Sequence, residues 1–318
     1  MKIQIFISII IFLPIASSGN TGTRIAGEKS PTAQIQSSKE DSIQITTSFS
    51  ILKDLAEKIA PSHFKISTLI DVDQDAHTYQ AKPSDIKLIK NSSLFILNGY
   101  DFEIWAQKLL KANKFSGKTL IASTGVKPLQ VTATDHTDHH HHHHSHFDPH
   151  AWQDPENIKI YIQQIQKAFI QLSPADKPEI QKRSTDFLNL VLEKHREMKS
   201  KFLALPKEKR KIITTHDAFQ YYGKAYDISF SAAQGFSTES EPTAKSIAKL
   251  IQQIKKENIK CLFLETTSNP KLLEQIQSET SAKIGGTLLA DSLSSTKAST
   301  YLEMMEFNFQ QIYSCLSK

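Results

Sequence analysis

Nine of the 13 histidines of this 318-residue chain fall between His136 and His150. His139, His140, His141, His142, His143 and His144 are consecutive, His136 and His146 flank them, and Asp148-Pro149-His150-Ala151-Trp152 follows. Neutral imidazole is the commonest protein ligand for zinc and its neighbours in the transition series. The run is internal and has its own acidic flanks, Asp135 and Asp138, so it reads as native sequence and not as a purification tag. Transition-metal handling is the chemistry this clustering points to. The run itself is expected to hold metal weakly, with an inert solvated loop as the alternative.

Three histidines and one aspartate occupy similar local positions elsewhere. His77 sits in Asp75-Ala76-His77-Thr78-Tyr79, and His150 follows the polar loop. His216 closes the apolar stretch Ile212-Ile213-Thr214-Thr215, and Asp291 follows Thr287-Leu288-Leu289-Ala290. Three imidazoles and one carboxylate fill a tetrahedral zinc shell, or a five-coordinate one if the carboxylate binds through both oxygens. A filled shell leaves no place for a hydrolytic water. The chain also lacks His-Glu-x-x-His, Gly-x-Ser-x-Gly and a phosphate loop, so it is expected not to be an enzyme. Each residue has a plainer alternative, and Asp291 before Ser292-Leu293-Ser294 could simply cap a helix. His63 and His195 read as surface residues, Glu265 as a strand-end polar contact, Glu241 as an acid in a first helical turn, and Trp152 and Tyr79 as walls excluding water.

The segments that must hold these residues alternate between two patterns. Residues 43–47 are β-branched and alternating; Ser48 and Ser50 read as caps before an apolar face at Ile51, Leu52, Leu55 and Ile59. Further strands are expected at 64–70, 94–97 and 119–122; the second of these, Leu94 to Leu97, ends at Asn98-Gly99, after which Asp101 is expected to cap a helix. A helix from Pro155 carries Ile158, Ile162, Ile165 and Phe169 at three- and four-residue spacing. Residues 178–205 lack glycine and internal proline and predict a helix of ~39 Å. A second series follows, with strands near 211–215, 228–231, 261–264 and 286–289, helices opening at Glu241-Pro242 and Asn269-Pro270, and a last helix running to Cys315. Repeated β-α order implies an α/β fold: two lobes, each a mainly parallel sheet flanked by helices, joined by one long connecting helix. The expected boundaries are an export segment at 1–19, a flexible leader at 20–41, an N-terminal lobe at 42–174 containing the His-rich loop 132–146, a connecting helix at 175–206 and a C-terminal lobe at 207–318. Ligands of open α/β sheets collect at strand carboxyl ends. Two of the four residues precede the long helix and two follow it.

Lys2, the apolar run from Ile3 to Ile15 and the small residues Ala16-Ser17-Ser18-Gly19 have the order of a cleaved signal peptide. No cysteine lies near the cleavage point, so a lipid-bearing cysteine is not expected and the protein is expected in the periplasm. The net charge of +5 is spread along the chain without a basic stripe interleaved with aromatics, and no nucleic-acid partner is expected. Cys261 and Cys315 are a disulfide candidate in an exported protein, with two separate buried thiols as the alternative.

From about Ile43 to the C-terminus the chain resembles the metal-binding receptors of zinc and manganese ABC importers, the cluster that includes the ZnuA, TroA and AdcA proteins. The carriers of the resemblance are Asp75-Ala76-His77-Thr78-Tyr79, Leu97-Asn98-Gly99-Tyr100 with Glu103 and Trp105, and Asp148-Pro149-His150-Ala151-Trp152-Gln153-Asp154-Pro155. They continue with His216-Asp217-Ala218-Phe219, Glu241-Pro242-Thr243 and Asp291-Ser292-Leu293-Ser294. Ala76 stands where the family usually has proline, and Gln80 where it usually has an acid. The resemblance implies His77, His150, His216 and Asp291 as metal ligands, and a disulfide between Cys261 and Cys315. It implies zinc as cargo, favoured by His216 and by the His-rich loop, with manganese or iron as alternatives. It also implies delivery to an ABC importer permease; a metallochaperone on the His-rich loop, a monomeric state, and an adhesin or metal-sequestering role as the alternative function complete the expectations.

Overall fold

The computed structural model describes residues 42–112, 115, 117–130, 147–239, 242–266 and 270–318. The export segment, the leader, the His-rich loop and Glu241 lie outside the described residues. The N-terminal half runs β1 (Ile43–Phe49), α1 (Ser50–Ile59), β2 (Phe64–Ile70), α2 (Pro83–Lys90), β3 (Leu94–Leu97), α3 (Ile104–Ala112) and β4 (Lys118–Ile121). Next come α4 (Pro155–Leu172) and the long α5 (Lys177–Leu203). The C-terminal half continues with β5 (Lys211–Thr214), α6 (Gln220–Tyr226), β6 (Ser229–Ala232), α7 (Ala244–Glu257), β7 (Cys261–Glu265), α8 (Lys271–Glu279), β8 (Lys283–Leu288) and α9 (Tyr301–Leu316).

Each half forms a four-stranded sheet, in the orders β2-β1-β3-β4 and β6-β5-β7-β8. Every pairing is parallel. Parallel strands need crossovers and are covered on both faces, which is why β3 reads as an unbroken apolar run, Leu94-Phe95-Ile96-Leu97, with all four residues buried. The two sheets thus share one topology, with the second strand on one side of the first and the third and fourth on the other.

The connecting helix α5 has 27 residues. Its buried positions, Ile180, Ser184, Phe187, Val191, His195, Met198 and Phe202, recur every three or four residues and form one stripe. That stripe packs against α1 and α4 of the first half and against α6 and α9 of the second. The larger apolar core runs along it through Phe169, Trp152, Tyr222, Tyr301 and Phe309. A separate core lies under α7 and α8, built on Ile213, Ile254, Leu262, Leu273 and Ile276. His195 corrects the surface reading: it is buried in the α5 stripe and packs on Tyr226 at 5.2 Å between ring centres. His63 is partly buried and faces Asp176 at 3.3 Å.

Several expected caps are used differently. α1 begins at Ser50 without a side-chain cap; Ser48 instead donates to Glu103, and Ser50 Oγ accepts the amide of Leu293. Asp101 does not cap α3 but sits in a left-handed turn with Tyr100, and Glu103 accepts the amides of Asn98 and Gly99. Gly99 is required there: its φ is +102°, and a Cβ would lie 2.6 Å from Ile121 Cγ2. α7 is capped by Thr243, not opened at Glu241-Pro242. No helix follows Asp291 before α9, so Asp291 is not a cap.

Cys261, at the start of β7, and Cys315, on α9, are joined by a disulfide across 54 residues. For a loop of this length the chain-entropy account gives about 4 kcal/mol of stabilisation. Reduction should therefore lower the melting temperature by on the order of 10 °C. Scanning calorimetry with and without reductant measures this, and coincident melting curves would show that the bridge carries no such stabilisation.

Candidate metal centre

His77, His216 and Asp291 come from segments that follow a strand, and His150 from the turn after the Gln130–Phe147 bridge. His77 lies in the loop after β2, where Asp75 Oδ1 accepts its amide at 2.8 Å and Phe102 packs on its ring at 4.8 Å. His150 precedes a short 3-10 turn, Ala151–Gln153. Asn98, at the end of β3, anchors that turn by donating to Pro149 O at 2.9 Å. His216 follows β5 after one intervening residue, Thr215. Asp291 follows β8, where Asn308 of α9 both donates to Leu289 O and accepts its amide.

These four side chains meet. His77 Nε2 is 3.3 Å from His150 Nε2 and 3.5 Å from Asp291 Oδ2. His150 Nε2 is 3.3 Å from Asp291 Oδ1, and His216 Nε2 is 3.1 Å from Asp291 Oδ2. One candidate ligand atom from each residue lies within 4.8 Å of the others. Four donors about 2.0–2.1 Å from a shared centre would be separated by about 3.3 Å along the edges of a tetrahedron, so the spacing fits a metal ion. The side chains of His150 and His216 are fully buried, and that of His77 is 6% exposed. Both oxygens of Asp291 are buried and accept no hydrogen bond of good geometry. A buried carboxylate without donors is unfavourable unless a cation supplies the missing interaction. Among the described residues this is the one cluster of its kind.

Two carboxylates outside the cluster orient the rings. Asp148 Oδ1 lies 2.7 Å from His150 Nδ1 and also accepts the His150 amide at 2.9 Å. Glu265, at the end of β7, pairs with His216 Nδ1, and its other oxygen accepts the amides of Thr215 and His216 at 3.1 and 3.0 Å. A proton held on Nδ1 by a carboxylate leaves the Nε2 lone pair free to face the centre and makes it more basic. The sequence reading missed both roles. Asp148, two residues before His150, had a local signal. Glu265 had none, because its closeness to His216 depends on β5 pairing with β7. Trp152 is buried as expected, packing on His150 at 5.3 Å. Tyr79 corrects the expectation of a wall: it packs on Trp105 and donates to Asp85. Phe102 and Phe236 face the cluster instead.

The sequence and the fold both match a known family. The family described as zinc-uptake complex component A, periplasmic (ZnuA) matches residues 45–315. The chain belongs to this family. Among its relatives, the metal ABC transporter substrate-binding lipoprotein SsaB of Streptococcus sanguinis is 28% identical over 290 residues, covering 89% of this chain and 92% of that protein. The manganese ABC transporter substrate-binding lipoprotein PsaA of Streptococcus pneumoniae is 28% identical over 289 residues, covering 88% and 91%. The structure of the periplasmic zinc-binding protein TroA from Treponema pallidum superposes with a TM-score of 0.79 at 23% identity, over 87% of this chain and all of that one, and shows the same fold. This ZnuA-family chain is therefore a substrate-binding component of a metal ABC transporter, a class that partners with a permease and an ATPase and not a class of enzymes.

One expectation is overturned. The periplasmic address without a lipid anchor does not stand, because these relatives are named lipoproteins. An apolar export segment is common to released and lipid-bearing proteins, so the run from Ile3 to Ile15 could not separate them.

Burial opposes the charge on His216, but the carboxylates of Glu265 and Asp291 outweigh it and raise its pKa well above the usual imidazole range. Burial likewise opposes charge on Asp291, and His216 and His150 outweigh it and hold the carboxyl well below its usual range. In the metal-free protein the raised pKa of His216 contributes stability that is complete below about pH 6.5 and is lost as pH rises through the folded value. The Asp291 contribution is present above about pH 3.9 and is lost as pH falls through its depressed value. Nuclear magnetic resonance titration of the metal-free protein should find the His216 pKa raised above that of an ordinary imidazole, and Glu265→Gln should lower it. An ordinary value in the wild-type protein would contradict this electrostatic picture.

Proposed function

We propose that this chain captures a divalent transition-metal ion, zinc by preference, between its two lobes and delivers it to the permease of an ABC importer. His77, His150 and His216 supply Nε2 donors and Asp291 supplies its carboxylate. The observation that carries the reading is the convergence of three buried imidazoles on a buried carboxylate whose oxygens accept no hydrogen bond. Zinc is favoured by the donors: three imidazoles and one carboxylate suit it, and zinc lies above manganese and iron in intrinsic affinity for such a site. The description of the family as a zinc-uptake component agrees.

A specific observation favours manganese as the second reading. Oδ1 of Asp291 faces His150 while Oδ2 faces His77 and His216, so both oxygens can reach one ion, and manganese suits higher coordination. PsaA is named for manganese. The histidines of residues 136–146 are assigned weaker capture. The described chain enters and leaves this segment at Gln130 and Phe147, which pair antiparallel, three residues before His150.

His77→Ala, His150→Ala, His216→Ala or Asp291→Ala should each weaken zinc binding by orders of magnitude, since each leaves a three-ligand shell. Competition titration of the untagged protein with zinc and manganese decides between the two metals. Unchanged zinc affinity in His216→Ala would end the ligand assignment.

Because an ion competes with protons for the imidazole nitrogens, and the His216 pKa is raised, binding should release protons and weaken as pH falls. Calorimetry in buffers of different ionisation enthalpy reads the proton count. Deleting residues 135–145 should leave one tight ion and remove weaker ones; loss of the tight ion would place loop histidines in the primary site.

A further inference from the structure

The four ligands divide evenly by sequence, with His77 and His150 before α5 and His216 and Asp291 after it. Their hydrogen bonds divide differently. The segment around Asp291 is bonded to the N-terminal lobe on both sides of the ligand. Trp152 Nε1 and Gln153 Nε2 both donate to Ala290 O, at 2.9 and 2.8 Å. The Leu293 amide donates to Ser50 Oγ at 3.0 Å, and Leu293 O accepts the Asp73 amide at 2.9 Å. Ser295 donates to Asp73 Oδ2 from its amide at 3.0 Å and from its hydroxyl at 2.7 Å. Further along, the Tyr301 amide donates to Asp54, and the Tyr301 hydroxyl donates to Trp152 O.

The segment around His216 is bonded mainly within its own lobe. The amides of Thr215 and His216 donate to Glu265, Asp217 donates to Gly235 O, and Gln234 donates to Thr215 O. Bonds that cross from this side to the N-terminal lobe among the described residues include Thr238 Oγ1 to Asp75 Oδ2 at 2.7 Å and the Leu129 amide to Tyr221 at 3.0 Å. Ala218 and Phe219 share the larger core, and apolar contacts can slide where hydrogen bonds must break.

We infer that Asp291 moves with the N-terminal lobe, so that the site opens by withdrawing His216 from a standing set of three ligands and not by parting two ligands from two. Trp152 and Gln153 are then positioning residues, because their shared acceptor is the carbonyl next to Asp291. His150, Trp152 and Gln153 lie in one turn, so His150 and Asp291 keep their spacing as that turn moves. Thr238 and Asp75 form the fastening on the withdrawing side, and Asp75 also holds the His77 amide. The chain has a place to bend between β7 and Asp291. Phe263 pairs with Gly286, Leu262 with Ile284, and Gly285 is the extra residue of a bulge. Gly286 has a φ of +149°. Bulges bend a strand locally.

The inference rests on the metal-binding reading, and hydrogen exchange on the full chain separates the two. The amides of Leu293 and Tyr301 bond across the lobes. They should be comparably protected with and without zinc, because those bonds persist when the site opens. Trp152→Phe keeps the ring but removes the indole N–H. It should lower zinc affinity roughly 10-fold and speed exchange at Leu293 in the metal-free protein. Thr238→Val should speed zinc dissociation several-fold, by roughly a factor of 3 to 10, while leaving exchange at Leu293 unchanged. Fast exchange at Leu293 and Tyr301 in the metal-free wild type, suppressed about 10-fold or more by zinc, would overturn the inference while sparing the metal-binding reading. Failure of the wild type to bind either zinc or manganese would overturn the metal-binding reading itself.

Discussion

A buried carboxylate whose oxygens face only imidazole nitrogens is the constraint around which this molecule is arranged. Asp291 is 2% exposed at its side chain, and its neighbours are three imidazoles and apolar rings. In the metal-free protein a proton on His216 Nε2, favoured by the raised pKa of that ring, partly balances it, while Glu265 holds the same ring through Nδ1. A divalent ion replaces the proton with a stronger and better placed charge. The strand-following segments of His77, His216 and Asp291, the turn of His150 and the two orienting carboxylates together bring one negative group to the same buried point as three nitrogen donors.

Much of this was legible in the sequence. The period-two and period-four patterns gave the alternating strands and helices, and the absence of glycine from residues 178–205 marked the long helix, found at Lys177–Leu203. His77, His216 and Asp291 were legible because each follows a strand, where α/β sheets gather ligands, and His150 because it stands in Asp148-Pro149-His150 just after the His-rich run. What the sequence could not show was contact between distant segments. Ser48 and Ser50 look like caps by local rule, yet their partners, Glu103 and Leu293, are 55 and 243 residues away. Glu265 looks like any polar strand end until β5 and β7 are side by side. His195 looks solvated among Lys194, Arg196 and Glu197, but the helical period turns it inward.

The same lesson applies to the division of labour between the halves. Counting ligands along the chain gives two and two, and the shared sheet topology reinforces that symmetry. The hydrogen bonds do not respect it. Asp291 belongs to the second sheet by connectivity, while the residues on both sides of it are bonded to the N-terminal lobe, so covalent order and hydrogen-bond order differ at the site.

The disulfide has a consequence for the integrity of the site. Cys261 and Cys315 close a covalent ring that contains Asp291, while His77, His150 and His216 lie outside it. A protease that severs the backbone once anywhere inside that ring produces no loose fragment. The residues bearing Asp291 and α9 remain tethered to β7, four residues from the Glu265 that orients His216, and the nicked chain keeps its carboxylate ligand on the same molecule as its three histidines.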